Sequence, residues 1–342
     1  MKEKIFFQTA TVRLICFLFL LGGSQSLVHG QLTDFTLRDP LAHTAQDNWL
    51  RPDSTFNRSR FRIAAGTGTA LYGVASIGLY QTWYSDFDMT GLHSFNDWPQ
   101  WNQMDKAGHM FTAYMFTRYS FSGLRWAGLK RPAARYTAMG VGNLLQATIE
   151  VMDGYSAEWG FSWSDLGANL TGTVVFAAQD ALWHEQRILI KVSSDLRQHP
   201  DIPIINQNGA MSNLGDISRE RFGTNFFEKY LKDYNAQTYW LSANPRSFLP
   251  KSKIPHWLNI SLGYGVENVY GAYGNTWARG RERFNYPNQR YRQWYLSPDI
   301  YFSRIPTKKR GVRLLLGILD SFKLPAPALE FSQGRFRAHW LQ

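Results

Sequence analysis

Polar side chains recur at helical spacing along three apolar stretches in the middle of the chain. Steps of three and four residues follow one face of a helix, and they predict helices over 104–123, 131–152 and 163–188. A buried carboxylate is costly unless it is paired, protonated or bound to a cation, so these polar stripes are expected to face one another. The predicted polar core comprises Asp105, Lys106, His109, Asn143, Gln146, Glu150, Asp153, Asp165 and Asn169.

The pattern changes from a helical period to a period of two after Pro250. Apolar residues alternate with polar or small ones over 258–264 and 294–303, which predicts strands with one covered face. The rest of this part is predicted as a short helix at 311–322 and closing strands at 329–331 and 335–340, with a turn at Gln333-Gly334. The fold class is therefore α+β, with an N-terminal helical bundle that has a polar core and a small antiparallel sheet region after it.

These patterns divide the chain into five parts. The predicted parts are a signal peptide at 1–30, an extended lead-in at 31–62, the helical bundle at 63–190, a linker with one short helix near 224–233 at 191–250, and the sheet region at 251–342. Within the bundle, the run 63–83 is rich in glycine and alanine and about as long as a bilayer is thick. Entry into a bilayer and burial as a core helix both remain open for it.

The first 30 residues have the pattern of a secretory signal. Lys2 and Lys4 precede an apolar stretch at 14–21, and small residues lead to a predicted mature start at Gln31. An uncleaved membrane anchor is the alternative. Cys16 is the only cysteine, and Ile15-Cys16-Phe17 is not a lipoprotein processing site. The mature chain is therefore expected in the periplasm or at the outer membrane, without a disulfide or an acyl anchor on cysteine.

Charge and composition narrow the classes of partner. The formal net charge is +11, which fits either a surface near anionic lipid or ordinary solubility charge. Charged residues interrupt all three predicted helices of the polar core, and the mean hydropathy is −0.33, so these helices are not expected to span a bilayer. An exported chain without a nucleic-acid motif or a phosphate-binding glycine loop is expected to bind neither nucleic acid nor a nucleotide cofactor. The expected partner is a membrane surface or an envelope protein.

Three motifs of the bundle resemble a known family. They are Asp105-Lys106-x-x-His109, the Glu150-x-x-Asp153 pair, and Phe161-Ser162-Trp163-Ser164-Asp165-x-x-x-Asn169-x-x-Gly172. They resemble the YfiM-type domain, described as predicted periplasmic lipoproteins, and more distantly the VanZ-like membrane proteins. The stretches 232–242 and 323–331 are similar to the longer form of that family in Bacteroidetes-like bacteria. The resemblance covers about residues 63–342 and implies a location and a fold, but no biochemical activity.

Three interpretations of the polar core follow from the residue types. In the first, the side chains form a structural hydrogen-bond network, with Lys106 or arginines as counterions. In the second, a divalent metal is bound by ligands chosen from His109, Glu150, Asp153 and Asp165, since imidazole with carboxylates suits zinc, manganese or iron. In the third, His109 is a general base held by Asp105 or Glu150, without a metal.

Each interpretation corresponds to a class of function. The structural network predicts a non-enzymatic structural or binding role at the periplasmic or outer-membrane face of the envelope. The other two predict a metal-dependent or acid–base hydrolase or transferase acting on envelope lipid or glycan, with a site at His109, Glu150 and Asp165. No H-E-x-x-H or G-x-S-x-G motif narrows the chemistry further.

Overall fold

The chain has an α+β architecture, in which a helical region is followed by an antiparallel sheet, as predicted. The computed structural model describes residues 52–84, 88–195 and 197–342. The signal peptide, Cys16 and most of the lead-in lie outside the described residues. The long helices are α1 (Arg58–Leu79), α2 (Met104–Trp126), α3 (Arg131–Gly154) and α4 (Trp163–Trp183).

Local signals set the ends of these helices. The Asn57 and Ser162 side chains cap α1 and α4 by accepting backbone N–H groups of their first turns. Pro132 occupies the first turn of α3, where a missing N–H costs nothing. The prediction of one helix over 163–188 is wrong at its C-terminal end. His184 takes a left-handed conformation (φ 58°) that ends α4, and a strand begins at Ile188.

Glycines let α2, α3 and α4 approach one another closely. A Cβ atom on Gly172 of α4 would lie 2.1 Å from the Met110 carbonyl oxygen of α2. A Cβ atom on Gly142 of α3 would lie 2.3 Å from the Thr117 hydroxyl of α2. Because no larger residue fits at these contacts, the packing holds the polar faces of the three helices together.

Helix α1 contains most of the glycine- and alanine-rich run and begins five residues earlier than the predicted bundle boundary. Tyr72 is buried, and its hydroxyl donates a hydrogen bond to the Leu145 carbonyl of α3 (2.8 Å). Leu71, Val74 and Ile77 on the same helix are exposed. None of the helices in the described part of the chain combines the length and the apolar character needed to cross a membrane.

The C-terminal half is built on a six-stranded antiparallel sheet in the order β1-β4-β5-β8-β9-β10. The strands are β1 (Ile188–Ser194), β2 (Pro203–Ile205), β3 (Met211–Asn213), β4 (Gln237–Ala243), β5 (Leu258–Glu267), β6 (Thr276–Arg279), β7 (Glu282–Asn285), β8 (Tyr291–Ile300), β9 (Ala328–Ser332) and β10 (Arg335–His339). The short helices are α5 (Leu214–Phe222), α6 (Phe226–Lys232), α7 (Pro245–Phe248) and α8 (Arg310–Leu319). The turn between β9 and β10 is at Gln333 and Gly334, as predicted, and both have positive φ.

The predicted linker at 191–250 contains more structure than its sequence indicated. Most of β1 and all of β4 lie in it and belong to the main sheet, and α6 is the short helix predicted near 224–233. Strand β4 was missed because several of its buried positions carry polar side chains, including Gln237 and Ser242. Strand β1 was missed because consecutive residues are buried on both of its faces, so it shows no alternation. Buried polar residues remove the apolar alternation by which a strand is recognised.

Two small hairpins, β2–β3 and β6–β7, share an apolar cluster with α5 beside the main sheet. Its buried residues are Ile204, Leu214, Ile217, Phe222, Tyr270, Trp277, Phe284 and Tyr286. This cluster gives the C-terminal half an apolar core of its own.

On the central strands β5 and β8, the covered face is largely polar. Asn259, Ser261 and Asp299 are buried, whereas Ile260 and Leu262, which alternate with them, are about half exposed. A period of two shows that a strand has two different faces, but it does not show which of them is covered.

Candidate functional site

His109 of α2 lies at the centre of the polar core, and α3 and α4 each present an acidic or amide side chain to it. Its Nδ1 atom is 3.3 Å from Glu150 Oε1 and 3.2 Å from Asn169 Oδ1. Its Nε2 atom is 3.7 Å from Asp105 Oδ1 and 3.8 Å from Asp165 Oδ1. The close packing of the three helices therefore brings both ring nitrogens of one histidine against four side chains from different turns.

Lys106 is buried and neutralises part of this cluster. Its Nζ atom is 2.5 Å from Asp97 Oδ2, 2.7 Å from Asp165 Oδ1 and 3.0 Å from Asp105 Oδ2. The one ammonium group thus contacts three carboxylates, but it does not contact Glu150. The described cluster carries more acidic groups than cations.

Several polar atoms of the cluster are buried without a hydrogen-bond partner in the part of the chain that the structure describes. Both Glu150 carboxylate oxygens are among them, and the Glu150 side chain is 0% exposed. Asp165 Oδ1 is another, because its approach to Lys106 is close but outside hydrogen-bonding geometry. The others in the cluster are Gln146 Oε1 and Asn169 Nδ2. Since buried polar groups in folded proteins are almost always satisfied, this concentration at one place indicates a site built for a ligand or a proton.

Burial and mutual repulsion make these carboxyl groups hard to ionise. Burial, with the neighbouring acidic charges, raises the pKa of Glu150 to about 8. Burial likewise raises the pKa of Asp153 to about 7, against the lowering effect of a hydrogen bond from Tyr84. The pKa of Asp165 is also raised, first by burial and then by the charge of Asp105. The burial of Asp105 is outweighed by the positive charges of His109 and Lys106, which hold its pKa below the usual range.

Asp105, His109 and Asp165 lie close enough together to hold a metal ion, beside the Lys106 ammonium that contacts both carboxyl groups. Each can offer one ligand atom, and these atoms lie within 4.8 Å of one another. An imidazole nitrogen with two carboxylate oxygens suits a divalent transition metal such as zinc, manganese or iron. Glu150, which contacts the other nitrogen of His109, is placed to orient the ring.

Of the remaining predicted residues, Gln146 lies beside this group, whereas Asn143 and Asp153 lie apart from it. Gln146 donates to Asn169 Oδ1 (2.9 Å) and stays beside His109. Asn143 instead bonds the Thr173 hydroxyl (2.9 Å), farther along α3. Asp153 accepts a hydrogen bond from Tyr84 (2.5 Å) and is not one of the three grouped ligands. Whether any of these residues acts in a function stays a prediction.

Asp97 belongs to the cluster but was not among the predicted residues. It is buried and accepts hydrogen bonds from the Ser162 and Ser164 hydroxyls (both 2.6 Å), in addition to its contact with Lys106. These bonds, together with one from Asp165, outweigh its burial and hold the pKa of Asp97 below the usual range. In the sequence, Asp97 is only a carboxylate in a loop rich in aromatic residues, and nothing there shows that it contacts Lys106 on a helix.

The backbone before α2 is in an uncommon conformation at this site. Trp101, Asn102 and Gln103 all have φ between 50° and 65°, the left-handed region that residues other than glycine rarely adopt. The Tyr264 hydroxyl donates to the Asn102 carbonyl, and the Trp101 N–H donates to the Ala272 carbonyl (2.7 Å). Contacts from the C-terminal half thus hold the strained turn that separates Asp97 from Asp105.

Residues 95–179 are similar to a family described as predicted periplasmic lipoprotein (DUF2279). The matched segment contains the loop with Asp97, the whole of α2 and α3, and the part of α4 that carries Asp165 and Asn169. Comparison with curated proteins and with solved structures finds no match. The similarity supports an exported, periplasmic protein, and the YfiM-type and VanZ-like resemblances stay predictions.

Proposed function

We propose that this exported protein binds a divalent transition-metal ion in its helical bundle, through Asp105, His109 and Asp165. The observation that carries the proposal is the fully buried Glu150 carboxyl group, which has no hydrogen-bond partner among the described residues and lies against the histidine of this group. A purely structural network would be expected to satisfy its buried atoms, because each unsatisfied one costs stability. A cation held at His109 Nε2 would keep the ring proton on Nδ1, which could then donate to Glu150 and satisfy one of these oxygens.

The charge balance supports a cation in preference to another kind of ligand. Asp97 and Asp105 have lowered pKa values and stay ionised, so a bound anion is disfavoured. Glu150 and Asp165 have raised pKa values, and a bound cation would displace their protons. Asp105 and His109 keep 24% and 15% of their side-chain surface exposed, which leaves an approach to the site from solvent. Asp165 and Glu150 form the buried side.

Hydrolysis is a second candidate function, and the number of ligands favours it. Catalytic metal sites have three protein ligands and keep a position for water or substrate, as the group of three would here. Glu150 lies behind the ring at Nδ1, where it would orient His109 toward the metal. The substrate class would be an envelope lipid or glycan. The non-enzymatic envelope role remains compatible with the same site if the metal only stabilises the bundle.

Metal analysis of the protein tests the proposal. We expect protein purified without chelator to carry about one equivalent of a transition metal, or to take it up from added zinc, manganese or iron. His109→Ala and Asp165→Asn should each abolish this binding in titration calorimetry. Asp320→Asn is the matched control, because Asp320 is equally buried but is paired with Arg118 (2.9 Å) away from the cluster.

The outcomes separate the interpretations. A wild-type protein that binds none of the three metals, with a heat signal no larger than that of His109→Ala, contradicts the proposal and favours the structural network. Binding that persists unchanged in both variants places the metal elsewhere and also contradicts it. If metal binds but no lipid or glycan ester is hydrolysed, only the second candidate function fails.

A further inference from the structure

The exposed face of the main sheet carries two ordered rows of apolar side chains. Cross-strand neighbours Leu241, Leu262, Leu296 and Leu329 form an aliphatic row across β4, β5, β8 and β9. All four are between 43% and 52% exposed. A monomer rarely exposes so continuous an apolar surface unless something binds there.

An aromatic row runs beside the aliphatic one. Tyr264, Trp294, Phe331 and Phe336 are paired in sequence across β5, β8, β9 and β10. Trp294, Phe331 and Phe336 are at least 42% exposed. An aliphatic band bordered by aromatic rings is typical of surfaces that meet lipid, because aromatic side chains favour the boundary between hydrocarbon and headgroups.

Basic residues collect at one end of the same sheet. Leu258 at the start of β5 pairs with Ile300 at the end of β8, so the segments before β5 and after β8 leave the sheet at the same end. The first segment carries Lys251 and Lys253, and the second carries Lys308 and Lys309, all of them exposed. The positive charges therefore border the apolar face on the side opposite to the aromatic row.

A basic cavity opens at this end of the sheet. It has a volume of about 430 Å³, and Arg187, Arg246, Arg304 and His256 are among its lining residues. Glu185 pairs with Arg187 and Arg304 (2.8 and 2.9 Å), whereas Arg246 forms no ion pair with any described residue. The cavity thus has positive charge to offer to an anion such as a phosphate group.

Helix α8 adds a second apolar surface next to these lysines. It follows Lys309 directly, and Val312, Leu314, Leu315 and Ile318 are exposed along it. A short helix with apolar residues on its surface and basic residues at its start is typical of segments that lie in a membrane interface.

We propose that the exposed sheet face and α8 together bind the surface of an anionic phospholipid membrane. The aliphatic row and α8 would contact acyl chains, and the lysines and the basic cavity would contact lipid phosphates. A bilayer is favoured over a second copy of the chain. In many face-to-face dimers the basic ends of the two copies would repel each other, whereas anionic lipid attracts them. The aliphatic row, α8 and the basic residues include no residue of the proposed metal site, and their proposed role does not depend on it.

Vesicle flotation with the purified mature protein tests the proposal. We expect the protein to float with vesicles of phosphatidylcholine and phosphatidylglycerol and much less with phosphatidylcholine alone. The double variant Trp294→Ser/Leu296→Ser should reduce binding at least about ten-fold, since two large apolar side chains no longer enter the lipid. The double variant Lys308→Gln/Lys309→Gln should reduce it about five-fold for each charge removed.

Matched variants elsewhere on the surface serve as controls. Phe227→Ser removes an aromatic side chain that is 75% exposed on α6, and should leave binding unchanged. Arg281→Gln/Arg283→Gln removes two charges from the hairpin that joins the other end of β5 to β8, roughly 30 Å away along the ten-residue strands. Because these arginines lie far from the basic end of the sheet, their removal should reduce binding less than Lys308→Gln/Lys309→Gln does.

Three results would overturn the proposal. The first is a wild type that stays unbound in the presence of anionic vesicles. The second is a loss of binding in both control variants as large as in the two test variants, which would show that the effect is not local. The third is a dimer in sedimentation that Trp294→Ser/Leu296→Ser dissociates while vesicles bind nothing, which would make the face a contact between copies.

Discussion

The bundle and the sheet each bury a polar cluster, but only the cluster of the sheet is internally satisfied. There, Lys191 Nζ lies 2.8 Å from Asp299 Oδ2 and donates to the Ile300 carbonyl (2.6 Å). The Ser242 and Ser261 hydroxyls donate to the same Asp299 oxygen. No buried side-chain atom of these residues lacks a hydrogen-bond partner within the described part of the chain.

The cluster around His109 is equally buried, but it differs in its charged groups and in its hydrogen bonding. Among the described residues, its acidic groups outnumber its cations, and five of its side-chain atoms are buried without a hydrogen bond. Burial of charge therefore does not distinguish a functional site from a structural one in this chain. Buried polar atoms without hydrogen bonds do distinguish the two kinds of site, because a structural network gains nothing by leaving its own atoms unpaired.

The largest expected effect comes from breaking the satisfied cluster. Asp299→Ala should lower the free energy of unfolding by about 3 to 5 kcal/mol, because it leaves the fully buried Lys191 charge without its partner. Urea unfolding followed by tryptophan fluorescence measures this. Glu220→Ala, at a side chain that is 70% exposed, is the control and should change stability by less than about 0.5 kcal/mol. A loss below about 1 kcal/mol for Asp299→Ala would mean that this cluster is not structural.

A smaller change in stability is expected when the pH changes, and the raised pKa values in the cluster around His109 determine its direction. The pKa values of Glu150 and Asp153, about 8 and 7, are higher in the folded protein than in the unfolded chain, so the folded state holds more protons. Their contribution is fully present below about pH 4, and is lost as pH rises through 7 and 8. We expect metal-free protein to lose about 1 to 3 kcal/mol between about pH 5 and pH 8 from this source.

The measurement is the urea midpoint of metal-free protein across that range, for the wild type and for Glu150→Gln. The variant should show a shallower decline, since one of the groups that binds the extra proton is gone. Saturating zinc should oppose the decline, because the metal replaces protons and is bound better at higher pH. A wild-type protein whose stability rises steadily from pH 5 to pH 8 would contradict the raised pKa values.

The helical half was largely predictable from sequence, since its polar residues repeat at a helical period within apolar segments. The approximate spans of α2 and α3 and the polar residues they carry follow from that period. The helical period shows on which face of a helix each side chain lies, but it does not show which side chains of neighbouring helices lie at the same level. It could not show that Asn143 lies apart from His109, or that Asp97 reaches Lys106 from a loop.

The sheet half was less predictable, because its buried positions are polar. The strands β5 and β8 alternate clearly and were predicted, whereas β1 and β4 were assigned to a linker. Trp240 and Lys191 are both buried and are paired across these two strands, but they share no polarity that a sequence pattern could detect. Pairing between strands distant in sequence is fixed by tertiary contacts, which a single sequence does not display.

The smallest expected effect is also the sharpest test of the comparison between the two clusters. With a pKa of about 8, Glu150 is mostly protonated at neutral pH, and glutamine has the same shape without the acidic proton. Glu150→Gln should therefore change the stability of metal-free protein by less than about 1 kcal/mol, while weakening its metal binding. If it instead costs as much as Asp299→Ala, Glu150 is an ionised partner within a structural network, since only a lost charge pairing would be so costly. The two clusters would then be of one kind, and the proposed metal site would lose the observation on which it rests.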